Sequence, residues 1–154
     1  MRDFGATAPS FSSQERSTAI TFSSRSTSFH RRPRSIKAFR DKDGNHFDGG
    51  KSYRLHVPAN PPAAAFWSLT AYDSATRSMV QNPTNDAAHA SYDELKTTAD
   101  GSFDMYFGPS APAGQESNWI ETVPGRGFYV MFRLYSPTEP LFDGTWSLPD
   151  VEPM

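Results

Sequence analysis

Between residues 51 and 58 the chain alternates. Tyr53, Leu55 and Val57 fall on one face and Arg54 and His56 on the other, the period of two that a half-buried strand imposes. Pro58, Pro61 and Pro62 close the run. A second stretch, residues 66–73, sets Trp67, Leu69 and Ala71 against Phe66, Ser68, Thr70 and Tyr72, and either face could turn inward. Residues 95–108 read as two strands joined at Asp100-Gly101, a pair that supplies the positive φ angles of a tight hairpin turn. Phe103, Met105 and Phe107 then share a face. The strongest pattern is residues 127–135, where Phe128, Val130, Phe132 and Leu134 oppose Tyr129, Met131, Arg133 and Tyr135. So apolar a run predicts a central strand. One short helix is predicted over residues 85–96, with Asn85 or Asp86 as its cap and Lys96 near its carboxyl end.

Short strands spaced by Gly and Pro turns predict an all-β fold, a jelly-roll-like β-sandwich with at most one short helix. The composition agrees: 14% of the residues are aromatic and 13 are Pro, a mix that suits shaped turns better than a helical bundle. The 154 residues make room for one domain and one core. With no cysteine there are no disulfides, thiolate metal sites or thiol nucleophiles. No run approaches the roughly 20 apolar residues that a membrane helix needs, so no membrane span is expected.

Charge divides the chain near residue 35. Of 15 basic and 17 acidic side chains, six arginines but only Asp3 and Glu15 precede residue 36, so a net charge of −2 conceals a basic head on an acidic body. The first 35 residues are Ser-rich, and Phe4, Phe11, Phe22 and Phe29 follow no period. They are expected to form a disordered tail, with residues 36–154 as the folded domain. The tail has three readings: an organelle transit peptide, a basic arm for an anionic surface, or a spurious or truncated start. The acidic body is not expected to bind nucleic acid. No secretory signal is visible, and the sequence assigns no compartment.

Several unusual strings occur in order: "FWSLTAYD", "ADGS", "YFGPSAPAGQESNW", "TVPGRGF", "RLYSPTEP" and "DGTW". With them, residues 36–152 resemble the DUF1214 family, domains of unknown function found in bacterial proteins. Residues 82–95 depart from the pattern. The resemblance implies a jelly-roll-like sandwich, usually the carboxyl-terminal half of a protein whose first half is a second β domain, DUF1254. It also implies that members are often exported, and it brings no catalytic residues to carry over.

Candidate chemistry is sparse. "DKDGN" at residues 41–45 evokes a calcium loop, yet His46 and Ser52 stand where such a loop wants Gly and Glu, so a hairpin turn is expected. His30, His46, His56 and His89 have no metal-ligand spacing and are expected at the surface. Neither a Gly-x-Ser-x-Gly elbow nor a phosphate-cradling Gly-Lys-Ser/Thr occurs. No cofactor and no metal are expected. The sharper set is Glu116, Asn118, Trp119, Glu121, Arg133 and Tyr135, which supplies the stacking faces, amides and carboxylates of a sugar site. The opposing reading makes Trp119 a plug for the end of the sandwich and pairs Arg133 with Asp104 or Glu116 across strands. The expected function is a non-catalytic binding or assembly module, packing on a DUF1254-type partner or on itself and presenting a glycan-type surface. The alternative is a fragment of a polysaccharide-acting enzyme with carboxylates near Glu116 and Glu121.

Overall fold

The computed structural model describes residues 32–154. The tail expected over residues 1–35 therefore lies outside the described residues as far as Arg31. The first strand, β1 (Arg34–Ala38), begins two residues earlier than the expected domain start. Eight further strands follow: β2 (Phe47–Asp48), β3 (Tyr53–Val57), β4 (Ala63–Asp73), β5 (Ala88–Ala90), β6 (Phe103–Gly108), β7 (Trp119–Glu121), β8 (Gly127–Pro137) and β9 (Glu152–Pro153). They form two sheets. One has the order β1-β8-β4-β5, with β2 also paired to β8; the other has the order β7-β6-β3-β9. All pairs are antiparallel except β6 with β7. A four-residue helix, α1 (Glu139–Phe142), fits the expectation of at most one short helix.

The alternation read from the sequence determines which side chains meet between the sheets. Strand β8 is central, flanked by β1 and β4, and turns Phe128, Val130, Phe132 and Leu134 inward. Of the two open choices for β4, the core takes Trp67, Leu69 and Ala71. Facing them are Leu55 and Val57 of β3, Phe103, Met105 and Phe107 of β6, and Ile120 of β7. Trp67 stacks between Phe103 (5.1 Å) and Phe132 (5.3 Å), so one indole joins both sheets. At one end Phe47 lies 5.1 Å from both Tyr53 and Phe128. The buried Tyr53 hydroxyl accepts the Asp48 N–H at 3.0 Å. Fully burying one such aromatic contributes about 1.5–3 kcal/mol.

Two segments differ from their predicted form. Residues 85–96 contain no helix. The Asn82 side chain accepts the Asp86 N–H and donates to the Asp86 and Glu121 carbonyls. Asn85 has φ +53, and Ala88–Ala90 joins the sheet as β5 beside β4. Short polar side chains here offer the backbone better partners than a helix would. Residues 95–99 form no strand either, although the turn at Gly101 exists, with φ +86. The Lys96 N–H and C=O both go to the Asn118 side chain, and Thr98 is held by Ser102, so the ladder is replaced by side-chain bonds. The "DKDGN" segment is the predicted hairpin turn. Asp41 N–H donates to the Asn45 carbonyl, Arg40 and His46 form a bridge, and Gly44 sits at φ +86.

One end of the sandwich is clamped by the β7–β8 turn. Gly49 is pressed against this turn so closely that an added Cβ would lie 2.1 Å from the Val123 carbonyl oxygen. Its own carbonyl accepts the Thr122 hydroxyl at 2.8 Å. Beside it, the last residue of β4, Asp73, is nearly fully covered and takes the Arg126 Nε–H at 2.6 Å. Its other oxygen accepts the N–H groups of Ala75 and Thr76. The Arg126 hydrogen bond, helped by that of Thr76, lowers the Asp73 pKa to about 2. Because the folded value lies below the unfolded one, the stabilisation is complete above about pH 4 and is lost as pH falls through about 2. Asp73→Asn should therefore cost about 1–3 kcal/mol at neutral pH, and the variant should lose less further stability between about pH 4 and 2 than the parent. Urea titrations across that window check this, and parallel losses in both proteins would contradict it.

Candidate functional site

The six residues expected to form a site lie on two different sheets. Glu116 and Asn118 belong to a 3-10 turn, Glu116–Asn118, that leads into β7, which carries Trp119 and Glu121. Arg133 and Tyr135 lie on β8, on the outer face of the other sheet. Most of the first four are engaged in holding backbone. Asn118 is 1% exposed; its amide donates to the Lys96 and Asp104 carbonyls and its oxygen accepts the Lys96 N–H at 2.7 Å. Glu116 accepts the Gly114 N–H, and its own backbone N–H, with that bond second, holds its carboxyl below the ordinary value. Glu121 accepts the Thr84 N–H at 3.0 Å.

Trp119 does not enter the core, whose buried indoles are Trp67 and Trp146. It is half-buried on the outer face of its sheet, with Nε1–H donating to the Gly108 carbonyl at 3.0 Å. The reason is its register: Ile120 must turn inward beside Phe107, so both neighbours turn out. Along this face Trp119 is in register with Tyr106, Tyr106 with Arg54, and Arg54 with Glu152. Arg54 binds Glu152 at 2.7 Å, and His56 Nδ1 lies 2.7 Å from Asp104 Oδ1. Asp104 therefore pairs with His56 and, at 4.0 Å, with Arg54, instead of with Arg133 as anticipated. Arg133 lies on the other sheet, its Nε–H against the Met131 sulfur at 3.0 Å. His89 is not at the surface either. Its ring bridges Asp93 and the Trp119 carbonyl, closing the edge between β5 and β7.

The outer face of the β1-β8-β4-β5 sheet is the more unusual surface. Its cross-strand rows are aromatic at both ends. In the first row Phe39 stacks on Tyr129 at 5.0 Å and Tyr129 on Tyr72 at 5.3 Å, with Arg77 above the Tyr129 ring. In the last, Tyr135 stacks on Phe66 at 4.1 Å, and Phe66 lies 6.2 Å from Tyr92, which is 77% exposed. Between them Met131 is in register with Lys37 and Thr70, and Arg133 with Ser35 and Ser68. These rows carry cations and no carboxylate. Tyr135 and Arg133, expected in a sugar site, lie on this face with Phe66, Tyr72 and Tyr129, the side of β4 that the sequence left open and the outer side of β8. Their alternation with core residues was the available signal.

Among the described residues no group of three His, Asp or Glu could hold a metal ion, and no helix is long and apolar enough to cross a membrane.

Two sheets closed over one aromatic core, with polar side chains clamping the irregular connections, define a β-sandwich module. The chain belongs to the DUF1214 family, proteins of unknown function, whose model matches residues 34–139. The crystal structure of the VPA0106 protein from Vibrio parahaemolyticus is similar over 80% of this chain and 31% of its own, with 24% identity and a TM-score of 0.69, a likeness of fold. An uncharacterised protein from Burkholderia cenocepacia is 16% identical over 79% of this chain and 29% of its own, with a TM-score of 0.49. The chain thus spans less than a third of the length of these solved proteins. No curated protein matches it.

The site geometry separates two neighbours that sequence treats alike. Asn118→Ala should cost about 2–4 kcal/mol, because three backbone groups lose a partner that is itself buried. Trp119→Ala, removing a half-exposed ring, should cost less than about 2 kcal/mol. Chemical denaturation of both variants measures the order, and an equal or reversed order would contradict this account of the turn.

Proposed function

We propose that the domain is a non-catalytic assembly module, and that the outer face of its β1-β8-β4-β5 sheet docks a second β domain of the DUF1254 type. The observation that carries this reading is the pair of stacked aromatic rows, Phe39–Tyr129–Tyr72 and Tyr135–Phe66, on a face with no sheet packed over it among the described residues. Tyr129 and Met131 are already buried within the domain, so the partly exposed Phe39, Phe66, Tyr72 and Tyr135 and the exposed Tyr92 would make the contact, and aromatic side chains with Arg are the composition of an interface centre. Support also comes from the solved Vibrio parahaemolyticus protein, in which the matching region is 31% of the chain, leaving ample length for another domain. Lys37, Arg77 and Arg133 on or beside the rows call for a partner surface that presents carboxylates. The enzyme reading draws less support, because Glu116 and Glu121 each accept a backbone N–H in a connection. A glycan-type ligand would use the opposite sheet, where Trp119 and Tyr106 are in register.

The test is sedimentation of the purified domain with a separately produced DUF1254-type domain. The two should form a complex at micromolar concentration. The domain alone should self-associate through the same face, and the partner should displace this self-association. Replacing Phe66 and Tyr135 together by Ser should weaken the complex by at least about tenfold, the effect of a modest hot spot. It should shift the melting temperature by only a few degrees. A monomer that ignores the partner domain, or a complex indifferent to the double variant, would contradict the reading.

A further inference from the structure

A cavity of about 100 Å³ opens at the clamped end of the sandwich, between the β4–β5 connection and the β7–β8 turn. Its inner wall is apolar: Val80 and Phe128 are buried there and Val123 partly so. Its rim is polar and exposed, formed by Thr76, Ser78, Gln81 and Arg126. For comparison, an apolar cavity of about 150 Å³ holds a benzene molecule. This one suits a group of three or four carbons whose polar end remains at the mouth.

The hydrogen-bond inventory decides what that polar end must be. The carboxylate at the rim is already committed. Asp73 Oδ1 accepts the N–H groups of Ala75 and Thr76, and Oδ2 accepts Arg126 Nε–H at 2.6 Å. The donors are not spent. Arg126 uses only Nε among the described residues, leaving both Nη groups for a ligand, and its side chain is 54% exposed. The hydroxyls of Thr76 and Ser78 lie 2.7 Å apart, and as a pair they can offer at least one further O–H. A rim whose charged donor, Arg126, has both Nη groups to spare favours a ligand that brings acceptors. The Asp73 contact through Nε also fixes the plane of the guanidinium, the orientation in which its two Nη groups form a fork for a carboxylate.

We propose that this cavity is a binding site for a small aliphatic carboxylate, with the alkyl group against Val80, Val123 and Phe128 and the carboxylate on the Arg126 fork. The anion approaches an arginine already neutralised by Asp73, and its body is small. Affinity is therefore modest, with a Kd of about 1–10 mM. The site adjoins the first aromatic row, since Met79, which lines it, is bridged to Tyr72.

The test is an amide-shift titration of the whole chain by nuclear magnetic resonance with sodium isobutyrate. Sodium chloride controls for ionic strength, and isobutyramide serves as a neutral ligand of the same shape. Isobutyrate should move the amides of Thr76, Ser78, Gln81 and Gly127 saturably, while isobutyramide at the same concentration leaves them nearly still. Arg126→Gln should weaken isobutyrate binding by at least about tenfold, and Arg126→Lys, which keeps the charge but not the fork, by nearly as much. The carboxylate-against-amide comparison uses the unaltered protein, so it decides the matter even if the variants unfold. Equal shifts with isobutyramide or with chloride would overturn the proposal. So would an absence of shifts up to about 50 mM, or binding unchanged in a folded Arg126 variant.

Discussion

Strand β8 and its pairing with β4 impose the constraint on which everything else depends. From Phe66 opposite Tyr135 to Asp73 opposite Phe128, the two strands run antiparallel through the middle of their sheet. Because side chains alternate strictly, burying Phe128, Val130, Phe132 and Leu134 obliges Tyr129, Met131, Arg133 and Tyr135 to face outward. A slip of one residue would exchange the two sets, placing Arg133 in the core at a cost far above a typical domain's margin. The core therefore dictates the outer face. That face could have been made polar, as on many half-exposed antiparallel sheets, yet here it presents paired rings.

The second sheet is held by different means. Its edge strand β7 is three residues long and cannot secure itself by ladder bonds alone. Asn118 from the turn before it, Asn82 from the β4–β5 connection, and His89 from β5 fasten it to β6, to its neighbouring loops and to the opposite sheet. Each is a buried or half-buried polar group with its partners satisfied. Such groups are costly only when left unpaired. They explain how a chain with long irregular connections closes a core without disulfides.

This division accounts for what could be read from the sequence. Strands β3, β4, β6 and β8 were legible because a period of two is imposed by burial, and burial is written in hydrophobicity. The hairpin at Asp41–Asn45 was legible because Gly44 supplies a positive φ that few residues accept. Residues 85–99 were not. Their conformation is set by Asn82 and Asn118, whose partners lie up to 39 residues away, and no local pattern encodes such bonds. The same limit governed the candidate site. Trp119, Glu121, Arg133 and Tyr135 are close in sequence, but the chain between them crosses from one sheet to the other, so that Arg133 and Asp104 never meet. Asp73 and Arg126, 53 residues apart, meet at the clamped end without any motif to announce them.

The central claim is that the outer aromatic face of the β1-β8-β4-β5 sheet is an interface. The most direct measurement is hydroxyl-radical footprinting, read by mass spectrometry, on the isolated domain and on its complex with a DUF1254-type domain. The account predicts that oxidation of Phe39, Phe66, Tyr72 and Tyr135 falls several-fold in the complex, while Trp119 and Tyr106 on the opposite sheet react as before. Protection of Trp119 and Tyr106, with the stacked rows still reactive, would place the interface on the wrong side of the sandwich and contradict the account.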